Sequence, residues 1–295
     1  MKIKYISKLF MTLVIILGIV GCSSLLDVKD TSSTQGKKID TAGKLAVHFL
    51  DVGQGSSEFL ISPTGKVMLI DTGDIDKEAI MMKHLKDYQI NRIDILVLTH
   101  AHADHIGTAS AIINNFDVGK IYMPKVGNTT KTYETLLKTI QNKKLKVTTA
   151  KAGIKLDWDE QVQVEMVAPV KANYEDLNDT SAVLKVTYGE NSFLFTGDAE
   201  RESEKDMLNL KADLSANVLA VGHHGSNTSS TNAFLDKVKP TYAVIQVGAD
   251  NKYGHPTDAT LNRLSKKNIK VFRNDLNGTV SAVADGKRIE FSTER

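Results

Sequence analysis

Three histidines and an aspartate stand within six residues at His100-Ala101-His102-Ala103-Asp104-His105. Imidazole nitrogens and carboxylate oxygens are the donors that hold divalent first-row metals. His100 and His102, two apart on an extended segment, can turn toward the same side. Asp104 and His105 come off the turn into a following helix and can reach a second ion. A lone histidine is ordinarily a satisfied core or surface residue, but four ligands at this HxHxDH spacing point to metal chemistry. His48 and His84 lack such company and read as structural, one on an alternating strand and one on a helix face.

The segment feeding this cluster, Ile93–Thr99 (IDILVLT), is almost continuously aliphatic, as expected of a strand buried on both faces. Short apolar or alternating runs at Leu45–Leu50, Glu58–Ser62 and Val67–Asp71 predict strands. Further strands are expected at 119–123, 161–168, 182–188, 192–196, 217–221, 241–247, 270–273, 279–284 and 288–291. Helical spacing is found over 76–88, after His105, over 131–144, 202–210 and 233–238, and from Pro256-Thr257 onward. Hairpins early and late with βα units between them predict mixed sheets covered by helices, an α/β fold.

Composition narrows the classes. The chain has 295 residues, 41% hydrophobic and 24% charged, which excludes disordered, collagen-like and polytopic membrane proteins. Its 37 basic and 35 acidic side chains are too evenly matched to mark a nucleic-acid binder by charge alone. The single cysteine excludes an intramolecular disulfide and a Cys-rich zinc finger.

That cysteine belongs to the N-terminus. Lys2, Lys4 and Lys8 precede a mostly apolar run from Leu9 to Val20, too short for a permanent span of a ~30 Å bilayer core but suited to a secretory signal. Ile19-Val20-Gly21-Cys22 resembles the bacterial lipobox, which implies a diacylated Cys22. Two acyl chains anchor stably, each buried CH₂ contributing about 0.8 kcal/mol. The expected organisation is a signal peptide over 1–21, a lipid-anchored polar tether over 22–44 and a folded domain over 45–295, held outside the cytoplasmic membrane.

HxHxDH after a hydrophobic strand resembles the signature of the metallo-β-lactamase superfamily. Leu69-Ile70-Asp71-Thr72-Gly73 is similar to that family's strand-ending IDTG turn, Phe195-Thr196-Gly197-Asp198 to its GD motif, and Val221-Gly222-His223-His224-Gly225-Ser226 to its terminal histidine motif. The resemblance implies a four-layer αββα sandwich with the metals between the two sheets at the strand ends. It also implies that Asp198 bridges two metals and that Asp71 orients the ligand-bearing loops. His48–Gly55 (HFLDVGQG), HxHxDHIG, GHHGS and Asn251–Pro256 (NKYGHP) resemble one branch, the ComEC-type competence domain, over about Leu45 to Ala284. That branch implies a two-metal hydrolase of phosphodiesters, with DNA as the first substrate guess. Extracellular phosphorylcholine esterases are the other relatives in style.

Two departures bear on the site. No histidine lies between His105 and His223, where many family members place a ligand; Leu177-Asn178-Asp179-Thr180-Ser181 occupies that stretch. The resemblance then implies a first ion on His100, His102 and Asp198, helped by Asp179 or Asn178, and an oxygen-richer shell that tilts the metal from Zn²⁺ toward Mn²⁺. The second ion would take Asp104, His105, Asp198 and one of His223 or His224. Ser56 stands where the branch has an aspartate, removing an acidic contact.

Asp104 would orient the attacking water. His255 either protonates the leaving group or contacts a phosphate oxygen, or packs ahead of the helix at Pro256. Ser226 either donates to phosphate or caps a turn. Asp71, Asn178, Asp179, Ser181, Ser226 and Tyr253 complete the supporting set. Lys138, Lys143, Lys144 and Lys146 read as a solvated helix face, as do Glu200, Arg201, Glu202, Glu204, Lys205 and Asp206. Trp158 reads as a loop aromatic or edge packer.

Other chemistries fit the same metals: an esterase on choline-decorated envelope polymers, or a lactonase. Choline recognition calls for an aromatic cage, for which one tryptophan gives little material. A degenerate, non-enzymatic envelope-binding protein is the third reading. A monomer is expected, with no protein partner identifiable from the residues.

Overall fold

A computed structural model describes residues 43–295. The expected signal peptide, Cys22 and all but the last two residues of the tether lie outside the described residues. Among the described residues fourteen strands form two sheets. The first holds β1 (Leu45–Phe49), β2 (Glu58–Ile61), β3 (Val67–Ile70), β4 (Arg92–Val97), β5 (Asp117–Met123), β6 (Val147–Thr149), β13 (Val280–Ala284) and β14 (Ile289–Thr293). Its order is β14-β13-β1-β2-β3-β4-β5-β6. The second holds β7 (Gln163–Ala168), β8 (Val183–Tyr188), β9 (Asn191–Phe195), β10 (Val218–Ala220), β11 (Tyr242–Ile245) and β12 (Lys270–Arg273), ordered β12-β11-β10-β9-β8-β7. In each sheet an antiparallel half joins a parallel half: β3 to β6 are parallel in the first, β9 to β12 in the second.

Alternation along the strands explains the layering. Leu45, Val47 and Phe49 of β1 and Ile95 and Val97 of β4 face Val164, Leu184, Phe193 and Phe195 of the second sheet, forming the core between the sheets. Ala46, Leu96 and Leu98 point the other way, onto α1 (Glu78–Asp87), α2 (Ala103–Ile106), α3 (Ala109–Asn115) and α4 (Lys131–Asn142) through Met81, Leu85, Ile106, Ile112, Leu136 and Ile140. On the far side Leu194, Leu219 and Ala243 pack on α5 (Arg201–Asn209), α6 (Asn232–Val238) and α7 (Asp258–Lys266) through Met207, Phe234, Leu235 and Leu264. A short α8 (Asn274–Asn277) follows β12. Three cores between four layers give the expected αββα sandwich. Among the described residues no helix is long and apolar enough to cross a membrane.

Two expectations need correction, and one strand was not foreseen. Trp158 is in a loop but not at an edge: it is 1% exposed and fills the core between the sheets. The charges at 200–206 do not form one solvated face. Glu204 is 2% exposed and accepts hydrogen bonds from the Ser230 and Thr231 amides, while Glu200 turns inward. The three-residue edge strand β6, exposed throughout, escapes prediction because it carries no apolar alternation. The lysines of α4 are solvated as expected, with Lys138 paired to Glu134.

Candidate metal centre

The strand ends bring the motifs together. Asp71 follows β3, His100 follows β4, Asp198 follows β9, and His223 and His224 follow β10, all at carboxyl ends of parallel strands, where open α/β sheets form their ligand crevices. His102 is the N-cap of α2, so Asp104 and His105 leave from its first turn. Gly55 lets the chain pass close to this turn: a Cβ there would lie 2.6 Å from the Asp104 carbonyl oxygen. The neighbouring Ser56 amide donates to that same oxygen at 3.1 Å.

Asp104, His105, Asp198 and His224 offer ligand atoms that all lie within 4.8 Å of one another. His105 Nδ1 lies 2.6 Å from Asp71 Oδ2, and Asp71 also accepts from the Thr99 amide and hydroxyl at 2.7 and 2.6 Å. With Nδ1 engaged by Asp71, His105 turns Nε2 to the site, 3.2 Å from Asp198 Oδ1; a neutral ring with its proton on Nδ1 would offer the Nε2 lone pair to an ion. Neither atom has a hydrogen-bond donor among the described residues, and both are buried. His224 repeats the arrangement: its Nδ1 lies 2.8 Å from the Gln246 carbonyl oxygen, and its Nε2 lies 3.2 Å from Asp104 Oδ2. Ring nitrogens facing carboxylate oxygens in a buried site fit a divalent cation between them, which would take the place of the protons.

The protonation of the ion-free site carries the same message. Burial acts to lower the His105 pKa, but the Asp198, Asp71 and Asp104 carboxylates outweigh it and hold it well above the ordinary value. Burial likewise acts to raise Asp198 and Asp104, and the histidines reverse it: His105 and His224 hold both below the usual carboxylate range. His100, buried beside His105, is pushed well down. Protons here occupy places that a cation would fill.

The residues expected at a first ion are gathered less tightly. His100 Nε2 lies 3.8 Å from Asp198 Oδ2 and 3.0 Å from His102 Nδ1. The His100 Nδ1 faces the hydroxyls of Thr99 and Ser181 at 3.2 and 3.5 Å, and Ser181 Oγ accepts from the Asp198 amide. Of the two helpers, Asn178 lines the cavity, whereas Asp179 faces the start of α5, its Oδ1 accepting from the Glu200 and Ser203 amides. Ser226 bonds Thr228 and does not line the cavity.

His223 and His224 both have left-handed backbones, φ 50° and 53°, at a cost of roughly 1–2 kcal/mol each. That turn sends both rings to the site. Gly225 follows because a Cβ there would meet Pro256 Cβ at 2.5 Å. Around the cluster opens a cavity of about 350 Å³ lined by Gln54, His102, Asp104, Asn178, Asp198, His223, His224, Tyr253 and His255. Tyr253 is 55% exposed and stacks on His255 with ring centres 5.9 Å apart.

Three groups escaped the sequence reading. Glu58, on the inner face of β2, is 4% exposed, and burial beside Asp71 raises its pKa well above the ordinary value. It returns a carboxyl to the neighbourhood from which Ser56 removed one, and the odd charge in EFLI was its signal. Gln246 binds His224 through its backbone oxygen and so left no side-chain signal. Glu200 lies 2.8 Å from His223 Nδ1.

The Metallo-beta-lactamase superfamily profile matches residues 50–248. ComE operon protein 3 of Bacillus subtilis is 32% identical over 252 residues, 79% of this chain and 32% of its own. Competence protein ComA of Neisseria gonorrhoeae is 33% identical over 237 residues, 80% of this chain and 32% of its own. The chain thus spans about a third of the length of these curated relatives. CmlA, a diiron beta-hydroxylase from Streptomyces venezuelae, superposes with a TM-score of 0.53 at 14% identity, covering 78% of this chain and 52% of that one. The metallo-beta-lactamase fold protein YhfI from Bacillus subtilis gives 0.51 at 12%, over 78% and 96%. These structural likenesses are of fold, which a hydroxylase and other chemistries share.

Proposed function

The chain belongs to the metallo-β-lactamase superfamily, and on that premise we propose that it is a metal-dependent phosphodiesterase holding two divalent ions, Mn²⁺ or Zn²⁺. The carrying observation is the facing of the His105 and His224 Nε2 atoms onto the Asp198 and Asp104 carboxylates in a buried site. Asp104, His105, Asp198 and His224 would hold one ion, with Asp198 shared toward His100 and His102. Ions held by these residues would supply a water of lowered pKa and neutralisation of phosphoryl charge.

The chain's own groups do the rest. Asp104 reaches His224 and the cavity together and would orient the nucleophilic water. Burial, with His223 and His224 near it, lowers the His255 pKa; the ring is neutral near pH 7 and serves as a hydrogen-bond partner of a phosphate oxygen. Tyr253 offers an exposed ring on which a nucleobase can stack. One of these relatives is named a competence protein, which makes DNA the first phosphodiester to test. A choline ester is a poorer fit, since Tyr253 is the one phenyl or indole ring lining the cavity. A non-enzymatic binding role leaves the buried, cation-ready ligands without a use.

The test is cleavage of linear DNA by the full chain in detergent, with Mn²⁺ or Zn²⁺, beside Asp104→Ala and beside a panel of phosphorylcholine esters and lactams. Ion-dependent DNA cleavage lost in the variant supports the reading. Turnover of choline esters alone would move the assignment to an envelope esterase. We also propose that a diacylated Cys22 anchors the domain outside the cytoplasmic membrane, as Lys2, Lys4 and Lys8 and the lipobox-like Val20-Gly21-Cys22 suggest. Cys22→Ser should then abolish fatty-acid labelling; unchanged labelling would refute the anchor.

A further inference from the structure

His223 is wired like the histidines of the tight cluster, but its partner lies outside every ligand motif. His105 Nδ1 is engaged by Asp71 and His224 Nδ1 by the Gln246 carbonyl; His223 Nδ1 lies 2.8 Å from Glu200 Oε1. That same Oε1 accepts from Thr228 Oγ1 at 2.8 Å and from Asn178 Nδ2 at 3.3 Å, so the carboxylate is fixed from three sides. Donation from Nδ1–H to a carboxylate leaves the lone pair on Nε2. The His223 Nε2 lies 3.8 Å from Asp198 Oδ2, the distance at which that oxygen also stands from His100 Nε2 and from His224 Nε2, while His224 alone of the two adjacent histidines reaches Asp104. Two ligands of one ion, each bonded at about 2.1 Å, stand roughly 3–4 Å apart. The stretch from residue 106 to residue 222 supplies no histidine, and Asp179 is committed to the backbone of α5.

We propose that His223 supplies the third nitrogen of the first ion, beside His100, His102 and Asp198, and that Glu200 is the positioning residue that holds its ring. The adjacent histidines then serve one ion each, which replaces the choice between them left open by the sequence. The assignment rests on the two-ion reading above and deepens it.

The experiment is Mn²⁺ and Zn²⁺ loading of the full chain, read as ions per chain by native mass spectrometry and as affinity by calorimetry, with no substrate present. Wild type should hold two ions and His223→Ala one. Glu200→Gln keeps the side-chain size; it should retain two, the weaker bound about 10–100-fold less tightly. Ion-free melting curves establish that each variant folds, and if His223→Ala does not, Glu200→Gln decides alone. Two ions at wild-type affinity in the folded variants would overturn the assignment while leaving the two-ion reading intact. A wild type that binds one ion overturns both.

Discussion

The His105 ring is pinned between two carboxylates: Nδ1 lies 2.6 Å from Asp71 Oδ2 and Nε2 lies 3.2 Å from Asp198 Oδ1. Asp71 is fully buried and also holds the Thr99 amide and hydroxyl. One aspartate thereby fixes both the end of β4, from which His100 projects, and the tautomer of His105. Such outer carboxylates tune a metal site without touching the ion.

Asp71→Asn should therefore weaken ion binding by about 10–100-fold although Asp71 is no ligand. The fold should survive, with a loss of about 1–3 kcal/mol from the altered buried hydrogen bonds. Competition titration with a chelating dye measures the first and urea unfolding the second. Unchanged affinity would remove Asp71 from the account.

Ion binding should expel protons. In the ion-free protein the three carboxylates hold His105 charged well above its ordinary pKa, and a ligating imidazole must be neutral. Apparent affinity should fall as pH falls, with about one proton released per chain near neutral pH. Calorimetry in two buffers of different ionisation enthalpy reads that number directly, and a value of zero would contradict the ligand role of His105.

Glu204 gives a pH effect separate from the metal site. Burial pushes its carboxyl from 4.5 up to about 7, although the Ser230 and Thr231 amides oppose it. The folded chain then keeps a proton that the unfolded chain loses. The associated stability is full below 4.5 and is lost as pH rises through about 7. The whole effect is on the order of 3 kcal/mol. Glu204→Gln should flatten this part of the stability–pH curve, measured as urea midpoints on either side of it; an unchanged slope would place the titration elsewhere.

Trp158→Ala should cost about 3–5 kcal/mol, because the ring fills the core between the sheets. Urea unfolding monitored by far-UV circular dichroism measures it. A loss below about 1 kcal/mol would match the edge position read from the sequence.

The cluster and the layers were legible because they leave local marks: HxHxDH after IDILVLT, GD after FLF and GHHG after VLAV all sit where aliphatic strands end. Glu200 and Glu204 were not. The helix beginning at Arg201 buries one apolar side chain, Met207, with Ser203 and Glu204. An apolar stripe is what marks a buried helix face in a sequence, and charges that face inward toward partners some 25 residues away leave none. Trp158 was misread for a related reason. Flanked by Asp157 and Asp159, it reads as a loop aromatic or edge packer, yet Asp159 turns back to accept from Ser62 and the Gln161 amide and lets the ring enter the core.

The central claim is that ions held by Asp104, His105, Asp198 and His224 make this chain a phosphodiesterase. Its most direct test is hydrolysis of a small diester, bis(4-nitrophenyl) phosphate, by the chelator-stripped full chain as Mn²⁺ is added back. The stripped protein should show no turnover, activity should rise with bound ion, and Asp198→Ala should lose it. Hydrolysis that persists after stripping, or an ion-loaded wild type that leaves the diester intact, would contradict the claim.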